Sequence, residues 1–391
     1  AGEFALWMLP GIPFLYVYEV IRKVSQSRNE TVPTLVASVV ATSINVVLGT
    51  YLVGYTRLGW IGAAVVRTFG NIMLVPTVLV AMMMGLGSVD SSPPTANRET
   101  LSILASDGND CVQQEENDDE FLHHLWEGFV LSEALKPSAV LQFLKLGLPG
   151  MLQLMFEWIA FDAITLLCGL LPGREAIVAI GANAVINYTT TVTYMTFLGT
   201  SVAGSVRIGN ALGAGDVKRA EVASLLTIAV GLVTSLVIMT IFFLFRNSLP
   251  LLFTTDAEIV EKAQRIFVIA AIFQVADSLN SSIQGIFRGS GRQMQGAIYN
   301  FVGYFVIGIP LEYLLGVQLK FGIEGLWSGL SIGLYSICLL CTKIVLSSDW
   351  EALVEATRKR LRSNSRIESD MSRLSQDEAI AVHHSRAFAE S

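Results

Sequence analysis

Long apolar segments constrain this chain of 391 residues more than any other feature of its sequence. Nine segments have the length of a membrane-spanning helix, which needs about 20 apolar residues to cross the hydrocarbon core of a bilayer. Charged residues make up only 15% of the chain, whereas soluble domains carry about 25%. The segments cover about 4–24, 33–54, 58–86, 138–171, 175–206, 221–245, 264–287, 295–317 and 323–346. They predict an all-α membrane protein that crosses the bilayer many times.

Composition also excludes several classes of function. The formal net charge is -7, and no basic patch is interleaved with aromatic residues, so we expect no nucleic-acid partner. The four cysteines do not have the spacing of a metal site or a disulfide framework. We therefore expect a non-enzymatic protein without metal or organic cofactor, a monomer whose partners are membrane lipids and small molecules.

Lys and Arg residues are concentrated in alternate turns between the segments. The basic turns contain Arg22, Lys23, Arg28, Arg207, Lys218, Arg219, Arg288 and Arg292, and the tail contains Arg358, Lys359, Arg360 and Arg362. Cytoplasmic loops are enriched in Lys and Arg, so this side of the protein is predicted to be cytoplasmic. The first segment then runs from the outside inwards, and with an odd count this orientation predicts further segments before Ala1.

A polar interruption divides the apolar segments into two groups. Residues 87–137 contain eleven acidic residues against Arg98 and Lys136, a composition that predicts a disordered cytoplasmic linker. Before it, residues 1–86 form a partial N-terminal lobe of three helices. After it, residues 138–346 form a C-terminal lobe of six helices. Residues 347–391 are predicted to be a cytoplasmic tail that begins with an amphipathic helix.

A weak internal repeat relates the two ends of the chain. The sequence LGWIG at 58–62 precedes the third segment, and FGIEG at 321–325 precedes the ninth. Each follows a basic turn and a pair of apolar segments. The repeat predicts that the first three segments have the same arrangement as the last three.

Three carboxylates lie within predicted membrane segments, where a charge is costly and therefore suggests function. They are Glu157 and Asp162 in the fourth segment and Asp277 in the seventh. Low-dielectric surroundings disfavour the charged form, so each carboxylate could exchange a proton. Glu157 and Asp162 point roughly 140° apart on a regular helix, which predicts that they belong to separate sites.

Polar residues recur at helical spacing around these acids and predict a wet pocket in the second group of helices. In the seventh segment the spacing places Gln274, Asp277, Ser281, Gln284 and Arg288 on one face. The fifth and eighth segments contribute Asn183, Asn187, Thr190 or Thr191, Tyr194, Tyr299, Asn300 and Tyr304. The alternative is that these amides and hydroxyls only join helices through hydrogen bonds.

Four stretches resemble the multidrug and toxic compound extrusion (MATE) transporters in their eukaryotic form. They are LKLGLPGMLQLMFEWIAFDA at 144–163, SVRIGNALGAGD at 205–216, ADSLNSSIQGIFRGSGRQMQGAIYN at 276–300 and FGIEGLWSGLSIG at 321–333. The resemblance implies a bundle of two six-helix lobes in a plasma membrane, vacuolar membrane or other endomembrane. It also implies that the nine segments correspond to the family's helices four to twelve, the first three being absent.

The resemblance implies that Glu157, Asp162 and Asp277 occupy the positions of the family's acids in the second lobe. At position 162 this chain has Asp, whereas the family often has Glu there. Exchange of a proton, or of Na⁺, for an organic cation by alternating access is the implied function. The alternative is a truncated lobe that binds ligands or partner chains and transports nothing.

Overall fold

The computed structural model describes residues 2–28, 30–56, 59–84 and 137–360. These residues are helical apart from short turns, and no strand occurs among them. The α-helices are α1 (Gly2–Met8), α2 (Ile12–Ser27), α3 (Val32–Tyr55), α4 (Trp60–Met83), α5 (Pro137–Cys168), α6 (Arg174–Ala214), α7 (Val217–Phe245), α8 (Ala257–Gly289), α9 (Gln293–Phe301), α10 (Ile309–Glu312), α11 (Gly322–Leu346) and α12 (350–360). Within the described residues, nine helical stretches are long and apolar enough to cross a membrane. The predicted all-α, multi-pass architecture is confirmed.

The chain divides into two compact units, Ala1–Lys136 and Pro137–Ser391. In the first unit, α2, α3 and α4 enclose a small core of Tyr18, Ala37, Ala41, Leu74, Val78 and Met82. The Tyr18 hydroxyl donates a hydrogen bond to the Thr34 carbonyl at 2.9 Å, which joins α2 to α3. The acidic linker predicted at 87–137 lies outside the described residues, except for Pro137 at the start of α5.

Helix α8 is the centre of the second unit. Of its membrane-spanning stretch 72% is buried, against 17% for α7. It packs on α6, α7 and α11, and its Phe267, Phe273 and Ala276 belong to the largest core cluster. Since α8 has neighbours on several sides, its polar side chains meet different environments around its circumference.

Two helices of this unit extend beyond the apolar segments that predicted them. Helix α6 continues to Ala214 instead of 206, and α8 begins at Ala257 instead of 264. The side chain of Asp256 caps α8 by accepting a hydrogen bond from the Glu258 backbone N at 3.0 Å. Such caps satisfy the free N–H groups of a first turn, so hydrophobicity alone does not set the helix ends.

The matched glycines Gly59 and Gly322 both have a positive φ angle. Their φ angles are +50° and +62°, and each glycine stands at the start of a long apolar helix. A positive φ angle strongly favours glycine. The two matched sequences therefore have a positive φ angle at the same glycine.

The predicted amphipathic helix of the tail is confirmed over 350–360. Its Trp350 and Val354 are buried in a second core cluster with Ile208 and Leu212 of α6. These contacts fix α12 against the end of α6 that the charge distribution predicts to be cytoplasmic. The rest of the predicted tail, from 361, lies outside the described residues.

The eighth membrane-spanning stretch is not a regular α-helix. Two π-helical segments, Val302–Gly308 and Tyr313–Gln318, flank the single turn of α10. Pro310 lies at the start of that turn and has no N–H to donate. A π-helical insertion shifts the hydrogen-bond register and rotates the following side chains. It places Glu312 inside the bundle, with none of its surface exposed.

Candidate functional site

A cavity of about 330 Å³ lies between α5 and α6 and reaches α8. Its lining combines aromatic rings, small polar groups and three carboxylates. The lining residues are Glu157, Trp158, Phe161, Asp162 and Thr165 of α5, Ile180, Asn183, Ala184, Asn187, Tyr188, Thr190, Thr191 and Tyr194 of α6, and Asp277 of α8. The three acids predicted from the sequence are thus brought together at one cavity.

The three carboxylates differ in their exposure. Glu157 is 5% exposed and Asp277 is 1% exposed, whereas Asp162 is an exposed residue. The prediction that Glu157 and Asp162 belong to separate sites is wrong, because both line this cavity. An arc of roughly 140° and a rise of about 7.5 Å separate them on the helix, and the cavity is wide enough to include both.

Glu157 interacts with two polar side chains of neighbouring helices. The Tyr194 hydroxyl donates a hydrogen bond to its carboxylate, and the Arg288 guanidinium attracts it electrostatically. Arg288 is itself held by a 2.7 Å hydrogen bond to the Ser201 hydroxyl. These contacts connect the carboxylate to α6 and α8, and they position it at the buried side of the cavity.

Asp277 is less well satisfied than Glu157. Its Oδ1 atom is buried and has no hydrogen-bond partner among the described residues. The two carboxylates are close enough to interact electrostatically. Two buried like charges repel each other more strongly in a low-dielectric site than in water.

Asn183 is fixed by hydrogen bonds on both sides of its amide. Its Nδ2 donates to the Thr165 hydroxyl at 2.9 Å, and its Oδ1 accepts from the Trp327 indole N–H at 3.0 Å. Asn187 and Tyr194 lie further along the same face of α6. The structure therefore places Asn183, Asn187 and Tyr194 at the cavity, as predicted.

Six further residues that the sequence predicted for a wet pocket do not line this cavity, and their role there stays a prediction. Those residues are Gln274, Ser281, Gln284, Tyr299, Asn300 and Tyr304. Most of them join helices: Gln284 Nε2 donates to Asn300 Oδ1 at 2.5 Å, and Asn300 Nδ2 donates to the Gln153 carbonyl at 3.0 Å. The Asn280 amide donates to the Tyr304 hydroxyl at 3.2 Å.

The remaining members of this set have contacts outside the cavity, although the Ser281 hydroxyl and the Gln274 amide nitrogen have no hydrogen-bond partner among the described residues. The Gln274 amide oxygen accepts a hydrogen bond from Thr193 at 2.9 Å, and the Ser281 carbonyl accepts one from Ser201. The Tyr299 ring packs against Phe287 with their centroids 5.9 Å apart. Because α8 is enclosed by its neighbours, a common helical face does not imply a common cavity.

Sequence reasoning missed the aromatic wall of the cavity. Trp158, Phe161 and Tyr188 line it beside the acids. A signal was present in the sequence, since Trp158 directly follows Glu157 and Phe161 is four residues beyond Glu157, about one helical turn away. Aromatic faces attract cations, most strongly where water is excluded.

A fourth intramembrane acid, Glu312, was also missed. It lies in α10, and neither of its carboxyl oxygens has a hydrogen-bond partner among the described residues. A Cβ added at Gly329 would clash with the Glu312 backbone, so α10 and α11 are in close contact there. Glu312 does not line the cavity. The sequence signal that could have identified Glu312 is its position inside a membrane segment, where an ionisable side chain is energetically costly.

Metal-binding clusters do not occur in the part of the chain that the structure describes. Across residues 2–28, 30–56, 59–84 and 137–360, no three His, Cys, Asp or Glu side chains are grouped so that they could hold a metal ion.

Comparison with known proteins identifies relatives along most of the chain. Residues 149–314 match the MatE family model. The chain is 27% identical over 355 residues to multidrug and toxin extrusion protein 1 of Danio rerio, covering 89% of this chain and 53% of that protein. It is 27% identical over 361 residues to protein DETOXIFICATION 14 of Arabidopsis thaliana, covering 92% of this chain and 66% of that protein.

A solved structure agrees with these sequence matches. The crystal structure of the eukaryotic MATE transporter AtDTX14 aligns with a TM-score of 0.74 at 25% identity, covering 92% of this chain and 71% of that chain. The chain spans about half the length of the animal relatives that it matches. The family-model match, the plant and animal relatives and the shared helical fold together show that residues 149–314 of this chain match the MatE domain and that the chain is similar along most of its length to eukaryotic MATE transporters.

Proposed function

We propose that this chain forms the binding region of a proton-coupled antiporter that exports organic cations by alternating access. The observation that supports the proposal most strongly is the cavity of about 330 Å³ that combines Glu157, Asp162 and Asp277 with aromatic side chains. The names of the relatives, multidrug and toxin extrusion proteins, agree with a small organic substrate.

Recognition of an organic cation follows from the chemistry of the lining. Ligand sites combine apolar walls with a small number of polar groups that fix orientation. Trp158, Phe161 and Tyr188 supply the apolar wall and offer cation–π contacts. Glu157 and Asp277 supply negative charge at the buried side, where electrostatic attraction is stronger than in water.

Coupling arises because a proton and the substrate compete for the same carboxylates. With Glu157 and Asp277 charged, the cavity holds a cation. Protonation of either group removes charge, weakens the hold and releases the substrate. Binding linkage requires the converse as well, so a bound cation opposes protonation.

The direction of exchange follows from the position of the cavity along α6. The lining residues of this helix lie between 180 and 194, in the half that the Lys and Arg distribution predicts to face outwards. Protons from that side reach Glu157 and release the cation there. Loss of the proton towards the cytoplasm restores the charge and the affinity for the next substrate.

Binding and transport of a fluorescent cation test this proposal. We expect the purified protein to bind ethidium, with affinity falling as the pH is lowered, and proteoliposomes to move ethidium against an imposed pH gradient. Glu157→Gln and Asp277→Asn should each abolish transport and strongly weaken binding. Unchanged transport in both variants would refute the site. Transport driven by a Na⁺ gradient alone would show that Na⁺, and not the proton, is the coupling ion.

The alternative, a protein that binds ligands without moving them, is favoured by one observation. Every residue that lines the cavity lies within residues 137–360, so binding at this unit does not by itself require alternating access. Ethidium binding that depends on Glu157, without any ethidium movement in proteoliposomes, would establish this alternative.

A further inference from the structure

A second cavity, of about 600 Å³, forms a groove between α6 and α7. Most of its walls are apolar or small side chains, and two arginines lie at one end. The lining residues are Gly199, Thr200, Ala203, Gly204 and Arg207 of α6 with Arg219, Val222, Ala223, Leu226, Thr227 and Val230 of α7.

This groove lies on the side of α6 that faces away from the carboxylate cavity. Thr191 lines the cavity and Arg207 lines the groove. They are sixteen residues apart, which is roughly 160° around a helix. The same spacing separates Asn187 from Ala203. The groove is therefore independent of the proposed transport site.

The groove has the depth of one bilayer leaflet. Val230 is thirteen residues from the start of α7, and Gly199 is fifteen residues before the end of α6. At 1.5 Å per residue, the groove extends roughly 20 Å from the turn between the two helices. A single leaflet contributes about 15 Å of hydrocarbon. A lipid chain that runs along the groove would thus reach the middle of the membrane.

Charge is concentrated at the end of the groove that is predicted to be cytoplasmic. Arg207 and Arg219 are exposed, and no ion pair of either side chain occurs among the described residues. The Arg358 guanidinium of α12 lies against Gly215 in the same turn. An Arg that starts below the interface can extend its head group to the phosphate level.

The nearby acids form no ion pair with Arg207 or Arg219 among the described residues. Asp216 caps α7 by accepting a hydrogen bond from the Arg219 backbone N at 2.9 Å. Glu221 is nine residues from Val230, which places it roughly half a turn away from the groove. This end of the groove therefore presents an excess of positive charge next to an apolar channel.

The floor of the groove is formed by a close approach of the two helices. A Cβ added at Gly204 would clash with the Thr227 side chain. The Thr227 hydroxyl donates to the Ala223 carbonyl at 2.7 Å and is satisfied within its own helix. The floor therefore offers no free polar group to repel a hydrocarbon chain.

We propose that this groove binds one anionic phospholipid of the cytoplasmic leaflet. Arg207 and Arg219 contact the phosphate, since guanidinium groups match phosphate geometry and hold it by charge-assisted hydrogen bonds. One acyl chain occupies the channel along Ala203, Leu226 and Val230. The bound lipid joins α6 to α7 and so stabilises the fold against heat.

Thermal unfolding of the purified protein in detergent tests the head-group contact. Added phosphatidylglycerol should raise the unfolding temperature more than phosphatidylcholine with the same acyl chains. The double substitution Arg207→Gln with Arg219→Gln should remove most of that difference. The matched control, Arg246→Gln with Arg265→Gln, changes the net charge equally at the opposite end of the membrane and should leave the difference intact.

A substitution inside the channel tests the acyl chain without altering charge. Ala203→Phe fills the groove at an exposed position and should also reduce the effect of phosphatidylglycerol. Inorganic phosphate, which carries the head-group charge alone, should not stabilise the protein. The proposal is overturned if the two lipids act equally, if the control pair has the same effect as the arginine pair, or if Ala203→Phe has none.

Discussion

Glu157 and Glu312 are both buried carboxylic acids in membrane-spanning helices of the same unit, but their surroundings differ. Glu157 lines a cavity and interacts with Tyr194 and Arg288. Glu312 lies in α10, where its backbone packs closely against α11, and neither of its carboxyl oxygens has a partner among the described residues. An ion-exchange site needs both a buried charge and access for the exchanging ions. Of these two acids, Glu157 is buried and lines a cavity, whereas Glu312 is buried and lines none. Burial of an acid therefore does not by itself identify a coupling site.

The largest difference should appear when the same substitution is made at both positions. Glu157→Gln should weaken ethidium binding at least tenfold, about 1.4 kcal/mol, because it removes charge from the cavity. Asp277→Asn should have a comparable effect. Glu312→Gln is the matched control and should bind ethidium like the wild type. Equal losses in Glu157→Gln and Glu312→Gln, measured by fluorescence titration, would abolish the distinction between the two acids.

A smaller effect is expected from the partner of Glu157. Tyr194→Phe removes the hydroxyl that donates to the carboxylate and keeps the ring in the cavity. A hydrogen bond to a charged group contributes about 1.5 kcal/mol or more. Because the hydroxyl acts on ethidium only through Glu157, only part of this free energy should appear in binding, and we expect a loss of affinity of about tenfold or somewhat less in the same titration. Tyr313→Phe, at an exposed position that does not line the cavity, serves as the control, and an equal loss there would remove Tyr194 from the site.

Asp162 should matter less than either buried acid. It lines the cavity but is exposed, and solvent screens the interactions of exposed charges to about 1 kcal/mol or below. Asp162→Asn should therefore reduce ethidium affinity about two- to fivefold. The loss should shrink in high salt, whereas the loss in Glu157→Gln should persist. If Asp162→Asn caused a salt-independent loss of ethidium affinity as large as that of Glu157→Gln, the exposure of Asp162 would be a poor guide to its role.

The smallest effect concerns the stability of the Glu312 region. Glu312→Gln preserves the shape of the side chain and removes the possibility of an unpaired buried charge, which is costly. The unfolding temperature should stay the same or rise slightly. A clear fall would mean that the carboxylate has a stabilising partner, and Glu312 would then resemble Glu157 more closely than its contacts indicate.

The sequence was informative about features that depend on local patterns. Apolar length predicted nine membrane helices because the bilayer sets the length of a spanning helix. The expense of intramembrane charge selected Glu157 and Asp277, and helical spacing placed Asn183, Asn187 and Tyr194 on one face. The same rule about charge applied to Glu312, in a segment interrupted by Pro310.

Contacts between helices were not predictable in the same way. The stripe on α8 has the correct spacing for a single face, yet Gln284 bonds to Asn300 whereas Asp277 lines the cavity. Which neighbour each residue meets depends on how α6, α9 and α11 pack around α8. Spacing within one helix carries no information about that packing.

The amino-acid sequence by itself determined that this chain enters a membrane, roughly where its nine apolar helices lie along the chain, and which acids are costly to place within a membrane segment. Tertiary structure alone decided that Glu157, Asp162 and Asp277 share one cavity, that Asn300 and Tyr304 join helices instead, and that Arg207 and Arg219 stand at the end of a groove. The physical reason is that hydrophobicity and helix geometry act along the chain, whereas access, charge pairing and cavities arise between residues that are distant in sequence.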